Sequence, residues 1–511
     1  MSAPGAPKKT GEAQGAFDRH QTHGRHAAIG ALQNLGAKAV ALSTGFATTV
    51  FLTRRLGPEL YGQYSVAFGI VLWMELLGIS LLDSTTVRLV AEADDWEATS
   101  STLVQIQLFI SLISTVLLFV TAPLIAAGLG SPGLEGHLRV FALEIPLFGL
   151  NRTHKSILIG RGAFERGAIV IVVYWLSRIA LMLLLVGLGL SVTGAILANV
   201  GAAAVQLVAA RVYVRPALLR RPTARMEIRG ITDYAVPLSF HNIVTLFITK
   251  GDLLIVRACA ALPGAAGFYS AANDLATLPV SSLVTSFSPL LLASLTHLWE
   301  SGRESSAQSM ARQTLRLGLC LLPFAALVVG SAPGIITFVY GEAYLPAGRL
   351  LALLMVAAMG SMPISILTRT LAARGRPHLI LTVTLPQAAL AVAGYLILTP
   401  RLGPVGAAAA RTTLTILAAI ALFGIVGRTC GVHLPLATAL RTGLTAMMAY
   451  AASAIWQTSG WLVVAELLLL SLGILGCLFL LGELTQLDVQ FAASLLRLKP
   501  RRSNHLIEGE S

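Results

Sequence analysis

Six cationic side chains lie inside long apolar runs of this sequence: Lys38, Arg152, Lys155, Arg178, Lys250 and Arg411. A charge at the centre of a bilayer costs at least about 2.5 kcal/mol on insertion scales, so such residues face a cavity, a partner or the headgroup boundary. Lys38 stands near the middle of the first run and Arg178 near the middle of the fifth, too deep for their stems to reach water easily. Arg152 and Lys155 share a polar third of the fourth run with Asn151 and His154, where snorkelling to the boundary is open to them. Arg411, seven residues into the twelfth run, has an outward route as well. Buried Lys and Arg replace the lost hydration of an anion through charge-assisted hydrogen bonds. The six are therefore the expected binding groups for an anionic cargo, with Lys38 as the primary contact.

The acidic residues in the runs are Glu75, Glu144, Asp252, Asp274 and Glu466. Coupling to an ion requires a carboxylate that changes charge or ligates sodium. Asp274, with Pro279 shortly after it, is the first candidate, with Asp252 and Glu75 behind it. The plainer alternative is that Asp274 neutralises a nearby cation such as Lys250. His241, Asn242, Thr249 and Asn273 lie on the same two runs, and His241 reads more readily as a satisfied buried group than as a proton relay. Catalytic chemistry finds no support. There is no nucleophile–base pair, no metal constellation and no nucleotide loop, and Gly160-Arg161-Gly162 lacks the strand-turn-helix context of a phosphate cradle. Cys259, Cys320, Cys430 and Cys477 stand singly, without metal or disulfide spacing. The expectation is a protein that is not an enzyme and holds no cofactor or metal.

The elements that position these residues follow from composition. Of 511 residues, 55% are hydrophobic and 12% charged, with a mean hydropathy of +0.76, whereas a soluble domain carries about 25% charged residues. Runs of membrane-crossing length recur from Ala28 to Gly482. They place spans near 28–52, 61–83, 102–128, 137–160, 168–188, 191–212, 230–256, 268–296, 317–340, 347–372, 379–400, 404–427, 436–457 and 461–484. The fold class is thus all-α, a polytopic membrane protein of about 14 transmembrane helices. Lys and Arg crowd the loops on the side of the N-terminus, above all Arg211, Arg215, Arg220, Arg221, Arg225 and Arg229. The opposite loops hold Arg54, Arg55, Arg139, Arg257, Arg349 and Arg401. That bias puts both termini in the cytosol. The net charge of +13 is scattered over loops, so membrane topology accounts for it without nucleic acid.

The chain also repeats itself. Gly62-Gln63-Tyr64-Ser65-Val66-Ala67 recurs as Gly267-Phe268-Tyr269-Ser270-Ala271-Ala272 at an offset of 205, and Gly194-Ala195 recurs as Gly406-Ala407 at an offset of 212. Each pair starts the equivalent helix of a six-helix half, which argues for duplication. The expected organisation is a disordered cytosolic tail (1–27), a six-helix bundle (28–212), a basic cytosolic linker (213–229), a second bundle (230–427), two additional transmembrane helices (428–484) and a cytosolic tail (485–511). Both halves start on one side, so the repeats are parallel. Two such bundles enclose a central cavity and can rock about it.

The stretch Arg55-Leu56-Gly57-Pro58-Glu59-Leu60-Tyr61-Gly62-Gln63-Tyr64 resembles the N-terminal signature of the polysaccharide and lipid-linked oligosaccharide flippases. These belong to the multidrug/oligosaccharidyl-lipid/polysaccharide exporter superfamily. Asp252 to Tyr269, Phe338-Val339-Tyr340-Gly341-Glu342-Ala343-Tyr344 and Leu402-Gly403-Pro404-Val405-Gly406-Ala407-Ala408 are similar to its pattern in the same order. The resemblance, covering about residues 28–484, implies an O-antigen or exopolysaccharide translocase of the bacterial inner membrane. Such a protein would move an undecaprenyl-pyrophosphate-linked oligosaccharide outward by alternating access, amid membrane lipids, with proton or sodium coupling and with glycan polymerase and glycosyltransferases as partners. It would make Lys38 the primary phosphate contact. The alternatives are a multidrug exporter of the same superfamily, for which a carboxylate-rich cavity is expected, and a non-transporting scaffold of a glycan-assembly complex.

Overall fold

The computed structural model describes residues 10–79, 83–215, 247–248, 250–260, 262 and 264–483. His241, Asn242, Thr249, most of the basic linker and the C-terminal tail fall outside the described residues. Among the described residues the chain is helix and turn throughout. The N-terminal part runs α1 (Thr10–Ile79), α2 (Asp83–Glu92), α3 (Trp96–Gly128), α4 (Leu134–Phe141), α5 (Glu144–Gly160), α6 (Phe164–Gly187) and α7 (Ser191–Tyr213). After a helical segment at 250–259 come α8 (Ala265–Glu300), α9 (Glu304–Leu319), α10 (Leu322–Gly330), α11 (Ala332–Tyr340), a 3-10 turn Glu342–Tyr344 and α12 (Ala347–Ala373). The chain closes with α13 (His378–Leu402), α14 (Pro404–Cys430), α15 (Leu436–Ile455) and α16 (Leu462–Leu480).

Nine helices among the described residues are long and apolar enough to cross a membrane. Their outer faces are greasy: α3 alone exposes Phe109, Leu112, Ile113, Val116, Val120 and Leu124, a surface that only hydrocarbon solvates favourably. Helix occurs within every apolar run of the sequence, with shifted limits. The third and ninth runs start earlier, at Trp96 and Glu304, and the fourth is divided at Ala142 and Leu143 into α4 and α5. At the N-terminus α1 begins at Thr10, within the stretch expected as a tail. No proline occurs between Pro7 and Pro58, so nothing in the sequence stops the helix from propagating back through its Ala- and Gln-containing stretch.

Glycine places the breaks. Gly57, at φ 72°, divides α1 into two arms, and Pro58 starts the second, where its missing N–H costs nothing. Gly264, at φ 76°, precedes α8, and Gly403, at φ 61°, followed by Pro404, separates α13 from α14. Within the N-terminal half α1 packs on α3, α5, α6 and α7. In the other half α12 packs on α8 and α14, and α13 lies along α14. α15 lies against α10 and α16, outside the second half. The halves meet where the second arm of α1 lies along α8.

That meeting is close because two glycines allow it. A Cβ on Gly62 would stand 2.8 Å from the Gly267 nitrogen, and one on Gly267 would land on the Pro58 carbonyl. The other repeated pair has a shared environment too. A Cβ on Gly194 would meet the Leu185 carbonyl and Leu190 Cβ, and one on Gly406 would meet the Leu398 carbonyl and Leu402 Cβ. Both repeated motifs thus mark places where backbone approaches backbone within the range only glycine permits.

Candidate functional site

Three stretches that resemble the flippase pattern come together at the junction of the halves. Arg54, at the end of the first arm of α1, donates from Nε to the Val339 carbonyl (2.9 Å) and from Nη2 to the Phe338 carbonyl (2.5 Å) at the end of α11. Tyr344 stacks edge-on against Phe268 (5.9 Å) and lies 5.6 Å from Tyr340. Tyr61 Oη donates to Asp274 Oδ2 on α8 at 2.9 Å. One guanidinium, one tyrosine and a pair of glycines therefore tie the halves at this end.

Behind the tie lies a cavity of about 230 Å³ between the halves, with Thr48, Tyr61, Tyr64, Arg178, Lys250, Asp252, Tyr269, Asn273 and Asp274 in its wall. The repeat sets its two sides. In the N-terminal half Tyr64 Oη accepts from Asn199 Nδ2 (2.8 Å) and Arg178 Nη2 (3.3 Å), while Arg178 Nε donates to Asn199 Oδ1 (2.7 Å). In the other half Tyr269 Oη donates to Asp252 Oδ2 (2.6 Å), which also accepts from Arg411 Nη1 (2.8 Å). The same Arg411 atom donates to Asn273 Oδ1 (2.8 Å). Asn199 and Arg411 are themselves 212 residues apart. Asn199 thus binds Tyr64 directly, whereas Arg411 reaches Tyr269 through Asp252.

The two cations differ in what they leave over. Arg411 is compensated by the Asp252 carboxylate. Arg178 has neutral hydrogen-bond partners and packs 5.1 Å from the Trp175 ring, and no carboxylate forms an ion pair with it among the described residues. Glu144 and Asp274 act on it electrostatically, and Asp274 acts likewise on Lys250, a wall residue that makes no hydrogen bond or ion pair among the described residues.

A second cavity, of about 570 Å³, lies within the C-terminal half among α8, α12, α13 and α14. Lys250, Asn273 and Arg411 belong to its wall, and the first two are shared with the smaller cavity.

Several expected site residues change place. Of Lys38, Arg152, Lys155 and Arg178, Arg178 is the one that lines a described cavity. Lys38 is exposed and lines neither. It precedes Gly45 by seven residues and Leu52 by fourteen on one continuous helix, and both of these line the smaller cavity. It therefore shares their face about 10 Å further along the axis from Gly45. Arg152 is exposed on α5, and Lys155 is partly buried; both have interaction partners. Arg411 does not run outward but turns inward to Asp252, because an ion pair inside the bundle outcompetes the longer reach to the boundary.

Among the carboxylates, Asp274 faces the cavity and holds Tyr61. Asp252 has both oxygens occupied, Oδ1 by the Leu253 N–H (2.8 Å) and Oδ2 by Tyr269 and Arg411. Glu75 lies away from both cavities, buried with its Oε1 unpartnered. Sequence reasoning missed Arg369 and Gln387, which line the larger cavity. Arg369 had the look of a loop-flanking charge, and a neutral amide raises no insertion-cost signal. The four cysteines are free.

Comparison with known proteins agrees with this architecture. The family described as "Polysaccharide biosynthesis protein" matches residues 51–349. The succinoglycan biosynthesis transport protein ExoT of Rhizobium meliloti (strain 1021) is 25% identical over 280 residues, 54% of this chain. That match spans 55% of the relative's own length. The lipid II flippase MurJ in an inward closed conformation superposes with a TM-score of 0.73 at 16% identity, over 91% of this chain and 100% of that one. An inward-facing multidrug resistance MATE family transporter gives 0.60 at 16% identity, over 78% and 98%. These relatives are transporters and flippases rather than enzymes. The chain belongs to the polysaccharide biosynthesis protein family, as a multi-span membrane protein with the helical fold shared by MurJ and the MATE transporters.

Proposed function

We propose that this protein flips an undecaprenyl-pyrophosphate-linked oligosaccharide from the cytosolic to the outer leaflet, by alternating access of the two bundles to a central cavity. The observation that carries the reading is Arg178. It is an interior guanidinium whose hydrogen-bond partners are neutral, in a cavity wall that also holds Lys250. Glu144 and Asp274 act on the guanidinium electrostatically without forming an ion pair with it among the described residues, so a closer anion would stabilise it further. The two cavities together carry Arg178, Lys250, Arg369 and Arg411 against Asp252 and Asp274, an excess of positive charge that favours an anionic cargo over the cationic drugs of a multidrug exporter. ExoT, by its name a transport protein of succinoglycan biosynthesis, and MurJ, by its name a lipid II flippase, support the same direction.

In this reading the tied end faces outward, both termini are cytosolic and fourteen helices cross the membrane as two duplicated bundles plus a C-terminal pair. Lys38 becomes an entrance residue, attracting the pyrophosphate before Arg178 and Lys250 receive it. The test is glycan export in cells making the glycan, normalised to membrane protein level. Arg178→Ala is expected to abolish export and Arg178→Lys to retain part of it. Lys38→Ala is expected to lower export several-fold without abolishing it. Normal export by Arg178→Ala would overturn the assignment. If wild-type protein in reconstituted vesicles bound the lipid-linked glycan without moving it, a scaffold role would replace it.

A further inference from the structure

The larger cavity has a lining that phosphate recognition alone does not require. Its wall is built from polar positions repeating at helical spacing. Asn273, Thr277 and Ser281 come from α8, Ser361 and Thr368 from α12, and Thr384 and Gln387 from α13. Steps of three, four and seven residues keep each set on one face of its helix, and the three faces converge on one space. In a helix surrounded by lipid the inexpensive choice at these positions is an apolar side chain.

The hydroxyls are not spare structural bonds. Thr277, Ser361, Thr368 and Thr384 each donate their proton to a carbonyl of their own helix, which leaves oxygen lone pairs to accept from whatever fills the cavity. Gln387 makes no hydrogen bond among the described residues, and its amide supplies two donors and an acceptor. Arg369, likewise without a partner among them, adds donors at the wall. A surface of several acceptors, an amide and a guanidinium is matched by a ligand carrying many hydroxyls, each both donor and acceptor. The volume of about 570 Å³ falls within the ordinary range of organic-ligand pockets, about 300–1,000 Å³. Lys250 and Asn273 belong to both cavities, so the two cavities adjoin at these side chains, next to where a charged group at Arg178 and Lys250 would sit.

Resting on the flippase reading, we infer that this cavity is a saccharide subsite. It receives the sugars of the lipid-linked glycan while the pyrophosphate remains between the halves, and Gln387 is its principal recognition group. The C-terminal half thereby reads the glycan, and the junction reads the charge.

The test places a photo-crosslinking benzoylphenylalanine at Gln387, at Leu278 in the wall of the smaller cavity, and at Leu385 on the opposite face of α13. Crosslinking is done in cells making the glycan, with the mass of the adduct as readout. Sugar-bearing adducts at 387 and lipid-linked glycan at 278, with membrane lipid alone at 385, are expected. Glycan at 278 without sugar at 387 overturns the subsite and leaves the flippase reading standing; no glycan at either position overturns both. Independently, Gln387→Leu at unchanged membrane level is expected to cut export at least fivefold, and normal export by that variant overturns the subsite.

Discussion

Tyr61 on the second arm of α1 and Asp274 on α8 are joined by a 2.9 Å hydrogen bond across the two halves. Tyr61 begins the turn that carries Gly62, and Asp274 stands little more than one turn beyond Tyr269, so the bond spans the place where the repeated motifs face each other. Lys250 lies in the same cavity wall, and it offers Asp274 an alternative partner once Tyr61 moves away. Tyr61→Phe removes the donor and keeps the ring, and is expected to raise labelling, from the tied side, of a cysteine placed at Thr48. Asp274→Asn is expected to cut export at least tenfold, since it removes the charge that alternates between partners. Full activity in Asp274→Asn would exclude Asp274 from coupling.

The Gly62–Gly267 approach makes a sharper steric prediction. A methyl group at Gly267 overlaps the Pro58 carbonyl, which is backbone and cannot rotate aside, whereas Gly128 has open space around its Cβ direction. Overpacking of this kind costs about 1–3 kcal/mol. Gly267→Ala is expected to lower the thermal midpoint in detergent and to favour the untied arrangement, while Gly128→Ala leaves both unchanged. Equal midpoints for the two variants would contradict the close packing.

Much of this was legible in the sequence because lipid punishes exceptions. Helix lies within the apolar runs, and the gaps between runs hold the breaks at Gly57 and Gly403. Partners distant in sequence were not legible: nothing near Arg411 points to Asp252, 159 residues earlier. The exposure of Lys38 was not legible either, because hydropathy reports depth along a run, while exposure depends on which neighbours cover that stretch of helix. Arg369 and Gln387 escaped notice because their meaning comes from the convergence of α8, α12 and α13, which no single run displays.

The Arg411–Asp252 pair lends itself to a double-mutant cycle. Both groups are largely buried, at 13% and 2% side-chain exposure, and breaking a buried pair from one side costs about 3–5 kcal/mol because the other charge is left uncompensated. Arg411→Leu and Asp252→Asn are each expected to destabilise strongly, and the double variant to recover much of the loss. Additive losses would show that the two side chains act independently. Because Asp252 has both oxygens occupied, the double variant is also expected to keep any dependence of transport on sodium or protons, which would place coupling elsewhere.

Glu75 and Glu144 supply the remaining carboxylates inside the N-terminal half. Both are at least 96% buried, Glu75 on the second arm of α1 and Glu144 at the start of α5, two helices that pack together. Each has one carboxylate oxygen without a hydrogen-bond partner, and Arg178 acts electrostatically on Glu144. A buried, incompletely satisfied carboxylate destabilises a fold, and residues retained at such a cost often trade stability for function. Glu75→Gln keeps the shape and removes the charge, so it is expected to raise the thermal midpoint in detergent while lowering export. Glu75→Ala empties the site and is expected to lower both. If Glu75→Gln lost stability as Glu75→Ala does, the carboxylate would be a structural partner whose charge the fold needs. If it exported normally, Glu75 would have no part in coupling, and Asp274 at the junction of the halves would stand as the one candidate carboxylate facing the cavity with a partner it can exchange.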